Sequence, residues 1–204
     1  TIMAVNCLIY WGSSALTAGR YHYDFTMAFD REVPLLPVFV WFYILAFPFW
    51  AVGYLLAARR GKDMFYRFVA TDLTIHFICF ICFILIPTTN IRPEIPGNTL
   101  SEKLLALVYS LDGGNSPSNL FPSIHCYVSW MCWKGVEGSE KVPKWYQRFS
   151  LVFAILIIIS TQVLKQHYIV DAAAALLLVE FFWRFYQKGQ RHKWVVHIFA
   201  NEKK

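Results

Sequence analysis

Two short strings hold side chains that can do chemistry together. They are Pro122-Ser123-Ile124-His125 and, after 41 intervening residues, His167-Tyr168-Ile169-Val170-Asp171. His167 and Asp171 are four apart, which on a helix puts them on one face with Cβ atoms about 5–6 Å apart. A carboxylate so placed accepts from one ring nitrogen of His167 and leaves the other free to attack phosphorus, the orienting logic of catalytic triads. A covalent phosphohistidine would split a transfer into two easier steps. His125 supplies a second imidazole, able to protonate a leaving oxygen. Pro122 suits the first turn of a helix. The amides of Ser123, Ile124 and His125 would then point outward as an anion cradle, with the Ser123 hydroxyl beside them. Arg92 adds a planar fork matched to phosphate oxygens. Singly, each residue has a plainer reading: an interfacial histidine, or an Asp171 that caps a helix. Together they favour phosphoester chemistry. His125, His167 and Asp171 would also suit a metal, but oxygen-rich partners for magnesium are absent nearby, and no metal or cofactor is expected.

The elements that must position these groups read as membrane helices. The 204 residues are 57% hydrophobic and only 16% charged, against about a quarter charged in a soluble domain. Apolar segments lie at about 2–17, 36–58, 68–87, 121–136, 148–165 and 168–187, near the length that crosses a bilayer. Continuous runs of this kind argue for helices, since a lipid-exposed backbone must satisfy its own hydrogen bonds. The expectation is an all-α bundle of six transmembrane helices, one integral membrane domain over residues 1–204. Residues 2–17 lack a basic n-region and read as a shortened first span, not a signal peptide. With Thr1 in place of an initiator Met, preceding residues are expected. Residues 88–120 read as a long outer loop, in which Gly113-Gly114-Asn115 suits a mobile lid.

Charge placement gives an orientation. With both termini on one side, that side holds 14 of the 19 Lys and Arg, and the positive-inside rule makes it cytoplasmic. The net charge of +6 is thus a topology signal, not a nucleic-acid footprint. His125, His167 and Arg92 all fall at the opposite, outer ends of their spans. A plasma-membrane protein with an extracytoplasmic site is expected. Cys7, Cys79, Cys82, Cys126 and Cys132 lie in or near apolar runs, and the Cys79-x-x-Cys82 pair reads as small core residues without disulfides.

These residues resemble the type-2 phosphatidic acid phosphatase superfamily, six-helix membrane enzymes acting on lipid phosphates. Its Pro-Ser-x-His motif is matched by Pro122, Ser123 and His125. Its third motif keeps its spacing from Ser160 through His167 to Asp171, but the arginine position is Thr161. Its first motif is matched at Arg92-Pro93, while the lysine position is Leu85. The resemblance covers about residues 30–188. It implies His167 as nucleophile, Asp171 as its orienter and His125 as general acid. Loss of two of three phosphate-clamping cations, with charge-assisted bonds contributing about 1.5–3 kcal/mol each, makes phosphodiester cleavage or head-group transfer a rival to dephosphorylation. The chain is similar in this to the sphingomyelin synthase and inositol phosphorylceramide synthase branch. Lys165 is a candidate partial replacement for the missing arginine. A non-catalytic lipid-binding relative is the alternative from another class. The expected partners are a lipid phosphate or phospholipid and membrane lipids, with no oligomeric state indicated.

Three polar residues fall deep in apolar segments: Asp72, His76 and Glu180. An acid at mid-membrane costs at least about 2.5–3.5 kcal/mol. The structural expectation is an Asp72–His76 pair and a protonated Glu180 bonded to a neighbouring helix. His22, His192 and His197 are expected at the surface without partners. Tyr10, Trp11, Trp133 and Trp145 are expected as interfacial anchors.

Overall fold

A computed structural model describes residues 2–114 and 117–200. Within them run α1 (Ile2–Thr17), β1 (Tyr23–Asp24), α2 (Ala28–Glu32), a 3-10 turn (Pro37–Phe39), α3 (Val40–Ala58), α4 (Lys62–Leu85), β2 (Thr88–Thr89), α5 (Leu100–Leu111), α6 (Ile124–Val136), α7 (Lys144–Val163), α8 (Ile169–Gln187) and α9 (Lys193–Ala200). The protein is thus predominantly helical. Three segments, Pro37–Ala58, Lys62–Leu85 and Lys144–Val163, are long and apolar enough to cross a membrane. Among the described residues, the other three apolar runs do not reach that length and composition. At about 1.5 Å per residue, the 13 residues of α6 fall well short of a hydrocarbon core about 30 Å thick. The 19 residues of α8 include Asp171, Glu180 and Arg184.

The helix α6 is the hub. It packs against α3, α4, α7 and α8, and Tyr127, Val128, Met131, Cys132 and Val136 along it are fully buried. Close approach needs small residues where backbones meet. A Cβ on Gly53 of α3 would lie 2.6 Å from the Cys132 Sγ of α6, so only glycine fits there. Trp50 Nε1 also donates to Ser129 Oγ at 2.8 Å, tying the same two helices. Gly61, at φ 110°, makes the turn between α3 and α4 that an L side chain resists.

The stretch read as a plain loop, residues 88–120, contains a helix. Thr99 Oγ1 accepts from Glu102 N at 3.2 Å and Glu102 Oε2 accepts from Thr99 N at 3.0 Å, a reciprocal capping box that starts α5. Leu105 and Tyr109, one turn apart, are its buried face. Tyr109 OH donates to Leu164 O at 2.7 Å, docking α5 on the end of α7. Burial pushes this hydroxyl up to about 12, so it stays protonated and keeps donating at neutral pH. Upstream, β1 and β2 pair in parallel, Tyr23 with Thr88 and Asp24 with Thr89. Thr88 Oγ1 accepts from the amides of Leu120 and Phe121 at 2.9 and 3.0 Å, which fixes the approach to α6.

The deep polar residues are paired. His76 Nδ1 lies 3.5 Å from Asp72 Oδ2, and Tyr54 OH donates to Asp72 Oδ1 at 2.7 Å. Glu180 differs from expectation. Lys134 Nζ at 2.9 Å and Arg184 Nη2 at 3.4 Å flank it, and Trp130 Nε1 donates to it at 2.9 Å. Two cations hold it as a carboxylate. His192 likewise has a partner, Asp63, at 2.9 Å. Cys79, Cys82, Cys126 and Cys132 are free thiols; the side chain of Cys7 lies outside the described residues.

Candidate active site

His167 does not share a helix with Asp171. It stands in the turn between α7 and α8, two residues before α8 begins. The turn is built by backbone. Thr161 O accepts from both Gln166 N (2.9 Å) and His167 N (3.0 Å), and Lys165 takes a left-handed φ of 54°, the conformation that commonly closes a helix C-terminus. Asp171 sits in the first turn of α8. Its Oδ2 accepts from Tyr168 N at 2.9 Å and lies 3.4 Å from His167 Nδ1. The carboxylate thus caps α8 and stands beside His167, whose Nδ1 is buried without a hydrogen bond at this distance.

The first turn of α8 is held from outside as well. Asp30, buried in the short helix α2, accepts from Ile169 N at 3.0 Å with one oxygen and from Met27 N at 2.8 Å with the other. Lys165 belongs to this joint. Its ammonium donates to Asp30 O at 2.7 Å and Val33 O at 2.5 Å. Partial burial lowers its pKa, against the pull of the Asp30 carboxylate. The structure therefore turns Lys165 toward α2 and does not bring it to the histidines.

His125 enters from α6. Ser123 is the cap of that helix, its Oγ accepting from Cys126 N at 3.3 Å, and its own amide donates to Asp171 O at 3.3 Å. That bond ties the mouths of α6 and α8 together. Pro122 precedes the cap and so lies outside the first turn, and Ser123 N is already engaged. The cradle shrinks to the first helical amides, those of Ile124 and His125, which have no acceptor within their own helix. The His125 ring stacks on Tyr43 with centroids 4.2 Å apart, with Trp50 at 5.0 Å and Phe47 at 5.8 Å. Its Nε2 is buried without a hydrogen-bond partner. The two imidazoles face each other at 6.3 Å between centroids. Both line one cavity of about 250 Å³, whose other walls include Tyr10, Tyr43, Phe47, Trp50 and Asp112.

Arg92, in the segment after β2, is not among the residues that line this cavity, and its guanidinium is engaged. Nη1 donates to Asp112 O at 3.0 Å and Gly114 O at 3.1 Å. Nη2 bonds the Asp112 carboxylate and Gln166 Oε1, and the group lies 4.7 Å over the Tyr109 ring. Tyr10, expected as an interfacial anchor, instead bonds the Asp112 carboxylate and donates to Ser118 O at 3.1 Å. Asn115, the last residue of the expected lid, lies outside the described residues. The two lost cation positions have other uses. Leu85 is exposed at the end of α4. Thr161 is fully buried, with its hydroxyl donating to Ile158 O at 2.7 Å and lying 3.5 Å from Cys126 Sγ.

Sequence reasoning passed over Asp30, Asp112 and Gln166. Gln166 had the best signal, being next to His167; the others become visible only once α2 and α5 are folded onto the bundle. Among the described residues, no group of three His, Cys, Asp or Glu side chains converges to hold a metal ion.

His125 and His167, one from each string, line one cavity inside a predominantly helical bundle. A family model for the PAP2 superfamily matches residues 21–184, well over half of the chain, and the protein belongs to that superfamily. Membership supports phosphatase-type phosphoesterase chemistry. No curated protein and no solved structure matches the chain.

Proposed function

We propose that the protein is an integral membrane lipid phosphoesterase that works through a phosphohistidine on His167. The observation that carries this reading is the His167–Asp171 contact of 3.4 Å in the cavity that His125 also lines. With Nδ1 turned to Asp171, Nε2 is the nitrogen left to attack phosphorus. The P–O bond to the leaving group breaks as the P–N bond forms, and His125 gives its proton to the departing oxygen. Water then attacks the phosphohistidine, His125 takes its proton, and phosphate or a phosphorylated head group leaves. The amides of Ile124 and His125 would hold the phosphoryl oxygens, with Arg92 Nε, which the fold leaves unbonded, as a third donor. No step uses a metal.

The substrate would be a lipid phosphate or phospholipid head group at the extracytoplasmic face, most simply of the plasma membrane, with both termini in the cytoplasm. Supporting this orientation, Arg59, Arg60, Lys62, Lys144 and Arg148 all lie at the ends of α3, α4 and α7 opposite to the site. A second reading, phosphodiester cleavage or head-group transfer, is favoured by Leu85 and Thr161 at two cation positions. Mass spectrometry of phospholipids incubated with purified protein tests both. Free phosphate identifies a phosphatase, and a new head-group lipid identifies a transferase. Lipid binding without turnover across a broad panel would instead mean a non-catalytic relative. Activity should survive EDTA; its loss on chelation would overturn the metal-free mechanism.

A further inference from the structure

Asp112 stands out because it places a carboxylate in the phosphate site. It lines the same cavity as His125 and His167 and pairs with Arg92, whose side chain is fully buried. A guanidinium meant only to clamp a phosphate dianion would be left open to it. Here the chain's own carboxylate occupies one edge. The positive charge of Arg92 is thus already met within the site by the Asp112 carboxylate. Gln166, 1% exposed, gives its Oε1 to Arg92 and leaves Nε2 buried and unbonded, and Arg92 Nε is in the same state. Two unpaired buried N–H groups, one of them on the residue next to His167, are what a bound anion would satisfy. Lys165, the other nearby cation, is spent on α2.

We infer that Asp112 is a specificity-determining residue that selects singly charged phosphodiesters over doubly charged phosphomonoesters. The inference rests on the phosphoesterase reading and narrows its substrate class. Each added negative charge on the ligand meets the Asp112 carboxylate at short range in a poorly hydrated site, where repulsion is weakly screened. The diester keeps one charge for Arg92 and Gln166 to hold and brings no second charge to repel. If Asp112 served only to cap Arg92, its removal would lower stability without changing which ionic form of a ligand binds best.

The test is calorimetric binding to the full chain in detergent, which needs no turnover. Phenyl phosphate loses its second proton near pH ~6, whereas dimethyl phosphate stays a monoanion from pH 5 to 8 and reports any titration of the protein itself. Relative to dimethyl phosphate, the natural protein should bind phenyl phosphate more weakly as it becomes a dianion. In Asp112→Asn the ratio of dianion to monoanion affinity should rise about tenfold, while Asp112→Glu, which keeps the charge, should hold the natural preference. If Asp112→Asn does not fold, the pH profile of the natural protein decides alone. Tighter binding of the dianion by the natural protein overturns the inference, as does an unmoved ratio in Asp112→Asn or failure of both anions to bind. Binding with the stated preference but no turnover of any lipid would sink the phosphoesterase reading only. Turnover together with dianion preference would sink this inference only.

Discussion

The chain contains two buried Asp–His pairs with the same spacing and nearly the same contact. Asp72 and His76 lie 3.5 Å apart inside a regular helix; His167 and Asp171 lie 3.4 Å apart across the start of one. Their surroundings differ. Asp72 also takes a hydrogen bond from Tyr54, and the His76 ring is met by Tyr127 OH at 2.7–2.8 Å. All four side chains belong to packed helices at the bundle's centre. His167 instead lines a cavity, faces a second imidazole, and is seated by backbone bonds to Thr161 that leave its ring edge accessible. An i, i+4 spacing makes a pair. A site needs in addition an open volume and a nitrogen that the fold does not use.

That contrast predicts opposite outcomes for parallel substitutions. His167→Ala should abolish lipid phosphoester turnover, by about four orders of magnitude or more if it carries the covalent step, while thermal unfolding in detergent shifts little. Retention of most activity would remove His167 as nucleophile. Asp171→Asn should come next. Activity should fall by about 10²–10⁴-fold as the tautomer is lost, and stability by about 1 kcal/mol as the cap on Tyr168 N weakens. A large loss of stability with normal activity in the folded fraction would assign Asp171 to capping alone.

His76→Leu should behave the other way round. Removing a partner from the buried Asp72 costs about 1–3 kcal/mol, read as a lower unfolding temperature. Activity per folded molecule should stay close to natural. If activity falls while stability holds, the Asp72–His76–Tyr127 cluster belongs to the chemistry through Tyr127, which is two residues from His125 on α6, and the contrast between the two pairs collapses.

The strings that hold His125, His167 and Asp171 were legible because a motif is local and its spacing survives any uncertainty about helix ends, and the fold brings the two histidines to one cavity. The sequence carried the bundle class for the same reason: apolar runs are local. It did not carry what depends on folding distant segments together. Six apolar runs looked alike, yet the 13 residues of α6 and the acids of α8 set them apart from the three long spans. The Thr99–Glu102 capping box was present in the string, but α5 was hidden by the Pro and Gly around it. Asp112 became a site residue only when that helix docked through Tyr109 onto Leu164, 55 residues away. Adding back the missing cations is also less simple than the sequence suggests. A lysine at 85 would start from an exposed position, and an arginine at 161 from a fully buried one.

Lys165 shows most directly how far proximity in sequence can mislead. It lies two residues from His167 and carries the right charge, yet its ammonium caps the carbonyls of Asp30 and Val33. Lys165→Ala should therefore leave phosphate-analogue affinity within about twofold of natural, since the charge-assisted bonds it loses are not to substrate. The cost should appear as about 1–2 kcal/mol of stability, and as faster amide exchange at Met27 and Ile169, the two donors that Asp30 holds. A tenfold or greater loss of phosphate affinity without that local loosening would return Lys165 to the phosphate site and leave Asp112 facing two cations in place of one.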